Sequence, residues 1–359
     1  MRVLDLFTGI GGHAIALKDY ATPVAYCDNN PFTHRVLEAR MQEGKLHRAP
    51  IFDNVETLKA SDLSHAPELI TASFPCQDIS TAGNRAGIEA GTRSGLVWQV
   101  FRIIDELGTS SPLRAVYLEN SPALRVRGLD KIVAALEERD FTVIWGNLLA
   151  SDVGARHRRT RIWILAVRGR NWKSKLPVIP IDAHGHNFKR LDDELPRLVP
   201  SPEERSVKSI AVKRWSALGN AVVPQVSHAA FAIMLDLLRK GVKGEQNKLS
   251  DVYPHYRDPS ELYDDMLSIK YGPDETAHRY NLWLTPVFSK SHFIPTNPKV
   301  MRNRGTFATR VYLERGTHRV FGEMDPDKDG MREARNRYMM NIGWVEALMG
   351  FPQGWTNVQ

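Results

Sequence analysis

A chain of 359 residues, 42% of them apolar, has room for one large domain and a smaller one. Its formal net charge of +7 suits a polyanionic partner such as nucleic acid. Two cysteines, with no CxxC and no Cys/His pair at ligand spacing, argue against a disulfide scaffold or a zinc site; with no apolar run of membrane-spanning length and no room for a signal peptide before the first strand, a cytoplasmic protein is expected.

Val3-Leu4-Asp5-Leu6-Phe7 has the pattern of a buried strand. It runs into Thr8-Gly9-Ile10-Gly11-Gly12 and then the apolar Ala14-Ile15-Ala16-Leu17. Strand, glycine turn and helix in that order let a nucleotide-like ligand approach backbone N–H groups at a helix start. A second strand, Val24-Ala25-Tyr26-Cys27, ends in Asp28. An acid at this tip, roughly twenty residues past the glycine loop, is the usual acceptor for ribose hydroxyls. Asn29, Asn30 and Pro31 follow and a helix is predicted near Thr33, so Asp28 also reads as a helix N-cap. Cys27, inside the strand, reads as core packing. Ile51-Phe52-Asp53 repeats the pattern; Asp53 faces a ligand's base or caps a turn.

Leu69-Ile70-Thr71-Ala72 reads as a buried strand, stopped by Ser73-Phe74-Pro75-Cys76-Gln77-Asp78-Ile79-Ser80. A thiol on a loop at a strand's carboxyl end is where open α/β sheets place their chemistry. Most free cysteines are small buried apolar residues, and Cys76 alone does not decide between the two. Gly83-Asn84-Arg85-Ala86-Gly87 is a glycine-rich basic segment. After Thr92-Arg93-Ser94, the positions Val97, Val100, Phe101 and Ile104 form the core-facing stripe of a helix. Ala115-Val116-Tyr117-Leu118 is a strand ending in Glu119-Asn120; Leu129, Ile132, Val133 and Leu136 mark another helix. Phe141 to Trp145 and Arg161 to Leu165 are two further strands. Alternation of strand and helix predicts a doubly wound, mainly parallel α/β sheet, with Cys76 and Glu119 at one rim. The basic run Gly154-Ala155-Arg156-His157-Arg158-Arg159-Thr160-Arg161 leads straight into the last strand. Such a run is a solvated face or a grip on a phosphate or base edge, with Arg159 and Arg161 on the same side. A helix over 228–239 and a linker at Lys240-Gly241-Val242-Lys243-Gly244-Glu245 follow.

Jointly these residues resemble the DNA (cytosine-5) methyltransferase family. The resemblance is carried by Asp5-Leu6-Phe7-Thr8-Gly9-Ile10-Gly11-Gly12, Phe74-Pro75-Cys76-Gln77-Asp78-Ile79-Ser80, Glu119-Asn120, Arg159-Thr160-Arg161 and Gly219-Asn220-Ala221-Val222-Val223-Pro224, and covers residues 1–168 and 214–238. It implies a Rossmann-like fold dependent on S-adenosyl-L-methionine and methylation of carbon 5 of cytosine in double-stranded DNA. Cys76 would be the thiolate that adds to carbon 6 of a flipped-out base, making carbon 5 nucleophilic. Glu119 would donate a proton or hydrogen bond to ring N3, its neutral form favoured in a desolvated cleft. Arg159 and Arg161 would hold the base and backbone. Phe7, Gly9, Ile10, Gly11, Gly12, Asp28, Asn29, Asp53, Pro75, Leu96, Asn220 and Val222 would form the cofactor site. Gln77, Ser80, Arg85 and Asn120, the last also positioning the thiol loop, would contact DNA. No metal is implied and a monomer is expected, in a restriction–modification or phage setting. The same chemistry serves an RNA cytosine-5 methyltransferase, and an inactive DNA-binding homologue is the rival of another class.

His157 stands where the family usually has glutamine, Arg156 where it has proline, and Asp28 where glutamate is common. The order departs further. Only residues 169–213 separate the arginine motif from Gly219-Asn220, whereas Trp344-Val345-Glu346-Ala347-Leu348-Met349-Gly350-Phe351-Pro352-Gln353-Gly354-Trp355, resembling the motif that organises the recognition domain, ends the chain. The expected layout is a catalytic domain of 1–168 plus 214–239, an insert 169–213 as accessory DNA contact, a linker 240–250 and a relocated recognition domain 251–359. Within 290–319, Lys290, Lys299, Arg302, Arg304, Arg310, Arg315 and Arg319 face the single acid Glu314, with Phe293, Phe307 and Tyr312 interleaved. Arg302 and Arg304 are the expected phosphate contacts there; the alternative is a solvated basic loop.

Overall fold

The computed structural model describes residues 1–75, 94–155, 157, 159–169, 171–180, 198–200, 204–246, 249 and 338–358. The apolar runs of the first half become strands β1 (Arg2–Leu6), β2 (Thr22–Cys27), β3 (Ile51–Phe52), β4 (Leu69–Ala72), β5 (Ala115–Asn120), β6 (Thr142–Leu149) and β7 (Thr160–Val167). After the short β8 (Leu198–Pro200), β9 (Gly244–Gln246) completes one sheet of order β3-β2-β1-β4-β5-β7-β6-β9. Its pairings are parallel except those of β7, which runs antiparallel to both β5 and β6. Every residue of β4 and β5 is buried, which explains why these runs show no polar alternation: a central strand of a parallel sheet is covered on both faces. From β1 the order goes to β2 on one side and to β4 on the other. A crevice opens outside the carboxyl ends of strands where the order reverses in this way.

Helices α1 (Gly12–Ala16), α2 (Pro31–Gln42), α3 (Val97–Leu107), α4 (Leu129–Glu137) and the short α5 (Trp172–Lys175) punctuate the strands. The second begins earlier than periodicity alone predicts, because the Asn30 side chain accepts from the Phe32 N–H and Pro31 supplies a preset first residue. On α3 the predicted stripe Val97, Val100, Phe101 and Ile104 is fully buried in the main apolar cluster, each side chain contributing about 1.5–3 kcal/mol. The segment predicted as a linker carries β9. Gly146 admits it at the edge of β6: a Cβ there would stand 2.5 Å from the Gln246 carbonyl oxygen. Arg125 pairs with Glu245 of the same strand.

Helices α6 (Arg205–Asn220) and α7 (Pro224–Arg239) follow one another closely. The stretch Ser209–Arg239 that spans them is long and apolar enough to cross a membrane by length and composition, but 83% of its apolar window is buried inside the protein. Residues 221–223 break it, and α7 is a core helix. Its Phe231 packs edge-on against Tyr117 at 5.0 Å, and Tyr117 stacks on Trp163 at 5.5 Å.

The chain divides into two compact units: Met1–Val153, Thr160–Gly185 and Val222–Tyr256 form the first, and Gly154–Arg159, His186–Ala221 and Arg257–Gln359 the second. In the second, β10 (Tyr338–Met340) pairs antiparallel with β8, and Ile342 of α8 (Ile342–Leu348) packs on Ala211 and Trp215 of α6. The terminal motif thus folds onto the helix that carries Gly219-Asn220. A buried carboxylate fastens it: Glu346 accepts from Arg214 Nη2 at 3.2 Å, from Thr356 N at 2.8 Å and Oγ1 at 2.5 Å, and from Gly354 N at 2.7 Å.

Candidate active site

The glycine loop begins where β1 ends. Phe7, a non-glycine residue, sits at φ 54°, followed by Gly9 at φ 57° and Gly11 at φ 87°. Such strain at a non-glycine position is held by its surroundings. Thr8 is the clamp: its N–H donates to the Cys27 carbonyl at 3.0 Å, its hydroxyl donates to the Asp5 carbonyl at 2.7 Å, and it accepts from the Cys27 N–H at 3.2 Å. Among the described residues, a Cβ on Gly9 would meet nothing within 4 Å, so they leave open space beside the loop there. A Cβ on Gly12 would stand 2.6 Å from the Val222 carbonyl oxygen, so this glycine is required by the close approach of the chain entering α7.

Asp28 does more than either sequence alternative foresaw. Its Oδ2 accepts from the Gly9 N–H at 2.8 Å, while Oδ1 accepts from Asn30 N at 3.0 Å and Thr33 Oγ1 at 2.7 Å. The helix N-cap itself is Asn30. One carboxylate therefore joins the glycine loop to the start of α2. Phe7 is half-buried, Asn29 and Asp53 are exposed, and Leu96 packs on the apolar cluster. Ile10 is fully buried, so its side chain anchors the loop in the core.

At the neighbouring rim, Glu119 and Asn120 close β5 opposite Trp163 and Ile162 of β7. Glu119 is only 7% exposed, and its Oε1 lies 2.8 Å from Arg161 Nε in an ion pair. Asn120 is 2% exposed; its amide donates to the Phe74 carbonyl at 3.0 Å, and its oxygen accepts from Ser121 N at 2.7 Å. The bond it makes is therefore to the root of the thiol loop, two residues before Cys76. Pro75, half-buried, is the last described residue before the thiol.

In the second unit, Arg159 is buried, and its guanidinium donates to the carbonyls of Gly219 at 2.9 Å and Ala221 at 2.8 Å. Its own N–H donates to Nδ1 of the buried His157 at 3.3 Å. Arg159 thereby braces the end of α6 and the residue after it.

A family model described as C-5 cytosine-specific DNA methylase matches residues 1–357. The chain belongs to this family. Type II methyltransferase M.CviJI of Paramecium bursaria Chlorella virus IL3A is 31% identical over 98% of this chain and 96% of its own length. Type II methyltransferase M2.BsuMI of Bacillus subtilis strain 168 is 29% identical over 46% of this chain and 42% of its own length. Type II methyltransferase M.HhaI of Haemophilus parahaemolyticus is 27% identical over 47% and 49%. Among solved structures, the Entamoeba histolytica methyltransferase EhMeth is 17% identical, covering 56% of this chain and 63% of that one at a TM-score of 0.42. The S. pombe Dnmt2 methyltransferase is 20% identical over 63% and 70%, at a TM-score of 0.40. As a C-5 cytosine DNA methylase, the enzyme transfers a methyl group from S-adenosylmethionine to carbon 5 of cytosine in DNA.

In this methylase the described residues bring together Phe7, Gly9, Gly11, Gly12, Asp28 and Val222 around the glycine loop, and Phe74, Glu119, Asn120 and Arg161 at the adjoining rim. Cys76, Gln77, Ser80, Arg85, Arg302, Arg304 and the basic cluster of 290–319 lie outside the described residues. Sequence reasoning missed Thr8 and His13. The hydroxyl of Thr8 was hidden inside a motif valued for its glycines. His13 offered no spacing signal at all.

Proposed function

We propose that this methylase acts on double-stranded DNA through Cys76, with Glu119 as the group that meets N3 of the flipped base. The observation that supports it most is the Asn120–Phe74 hydrogen bond, which ties the root of the Cys76 loop to the strand that bears Glu119. The cofactor site is assigned to the glycine loop. Open space at Gly9, the half-buried Phe7 ring and the Asp28 carboxylate suit adenosine and methionine groups. When bound there, S-adenosylmethionine supplies an electrophilic methyl on its sulfonium.

The residues divide the work. Cys76 adds as thiolate to carbon 6, which turns the ring into an enamine nucleophilic at carbon 5; once carbon 5 carries the methyl, loss of its proton breaks the bond to carbon 6, releases the thiolate and restores the ring. The ion pair with Arg161 is that of the ionised Glu119; the carboxylate takes up a proton before it supplies the hydrogen bond or proton at N3 as the ring takes up charge. Arg161, paired with Glu119, fixes the direction of that carboxyl. Arg159 acts through protein rather than on the base, by shaping the Gly219–Ala221 turn. We place the enzyme in the cytoplasm as a monomer.

The test is labelled-methyl transfer to duplex DNA and to transfer RNA, by wild type and Cys76→Ala. Transfer to duplex DNA, lost in Cys76→Ala with cofactor binding retained, is expected. Full activity of Cys76→Ala, or transfer to RNA alone, would overturn the proposal.

A further inference from the structure

His13 is the second residue of α1, directly after the glycine loop, and only 3% of it is exposed. Both ring nitrogens have partners from distant parts of the chain. Nε2 lies 2.9 Å from Ser73 Oγ, and Nδ1 lies 2.8 Å from Ser227 Oγ of α7. The ring packs at a steep angle against the stacked pair Tyr117 and Trp163, at 5.3 and 6.3 Å. The Tyr117 hydroxyl in turn donates to the Ser227 carbonyl at 2.8 Å, which fixes the serine that His13 grips. A position that only packs needs no polar ring: leucine or phenylalanine would fill it without desolvating two nitrogens. Burial depresses the imidazole pKa to about 3, so the ring is neutral, with one nitrogen donating and the other accepting. Serine hydroxyls can take either role, so the bridge is satisfied at both ends.

Ser73 stands at the other end of this bridge. It follows β4, precedes Phe74, and its N–H donates to the Leu6 carbonyl at 3.4 Å. The root of the thiol loop is thus held at Ser73 by His13 and at Phe74 by Asn120.

We propose that His13 is a positioning residue of the methylase: its imidazole bridge from Ser227 to Ser73 sets where the chain leaves β4, and so where Cys76 stands relative to the glycine loop. The inference rests on Cys76 being the nucleophile. A thiol displaced by a fraction of its reach loses rate in the covalent step, while the cofactor loop, held by Thr8 and Asp28, keeps its shape.

The experiment compares His13→Phe, His13→Gln, His13→Asn and Ser73→Ala by steady-state kinetics, cofactor calorimetry and thermal unfolding. Glutamine reaches from the Nε2 position and can still bond Ser73; asparagine reaches only the Nδ1 position and Ser227. His13→Phe and Ser73→Ala are expected to lower kcat by about ten- to a hundredfold, with cofactor affinity within about twofold of wild type. His13→Gln should recover most of the loss and His13→Asn should not. Ser73→Ala, half-buried and conservative, keeps the test open should His13→Phe fail to fold. Wild-type kcat in both His13→Phe and Ser73→Ala, or losses that follow the fall in melting temperature and are not recovered by glutamine, would overturn the inference. An active Cys76→Ala enzyme would instead overturn the nucleophile assignment, so the two failures are distinct.

Discussion

Asp5 shows how one buried side chain beneath the site ties stability to pH. It is 1% exposed; Thr71 donates to its Oδ1 at 2.7 Å, and its Oδ2 has no hydrogen-bond partner among the described residues. Burial pushes its carboxyl up to about 7, and the Asp28 charge adds to the rise. A carboxyl raised on folding binds its proton more tightly in the folded state. The resulting stability is present at low pH and is lost as pH rises from about 4, the unfolded value, to about 7. Asp5→Asn keeps the acceptor for Thr71 and removes the titration. Denaturant unfolding at pH 5 and pH 8 should show the wild type losing stability relative to Asp5→Asn, by about 3 kcal/mol at most. Equal changes in both proteins would refute the assignment. Nothing in the sequence marks Asp5 as buried and half-satisfied, because its neighbours in the motif are chosen for the turn. The same holds for Asp28, whose three hydrogen bonds to the glycine loop and α2 depend on how two segments meet.

At the scale of elements, α8 and the turn after it are held to α6 by the Glu346 carboxylate. Glu346 is fully buried, and Arg214, on α6, supplies its only cationic contact among the described residues. Arg214→Met fills similar volume but leaves that carboxylate buried without its cation, which costs about 3–5 kcal/mol. Hydrogen exchange should therefore accelerate over residues 341–358 while the strands of the first unit keep their protection. Unchanged exchange there would show that apolar packing of Trp344, Leu348 and Trp355 holds the segment unaided. The strands themselves were legible as apolar runs, and α3 as a stripe, because full burial leaves a periodic imprint. Less was legible where backbone alone decides. The antiparallel β7 looks like any other buried strand, and β9, Gly244–Gln246, reads as a linker since its pairing with β6 is made by main chain over Gly146.

At the scale of the molecule, the reversal of strand order between β1 and its two neighbours sets the glycine loop and the thiol-loop root side by side. Motifs far apart in sequence meet because the parallel strands all present their carboxyl ends to one rim. The Gly219-Asn220 helix and the terminal motif pack together across more than a hundred intervening residues. The central claim is that a covalent bond forms between Cys76 and the target base. The most direct measurement incubates the enzyme and S-adenosylmethionine with duplex DNA carrying 5-fluorocytosine, whose fluorine cannot leave as a proton does. Mass spectrometry of the digested complex should find the base attached to the peptide bearing Cys76. Attachment at Cys27 or at no cysteine, under conditions where ordinary duplex DNA is methylated, would contradict the account.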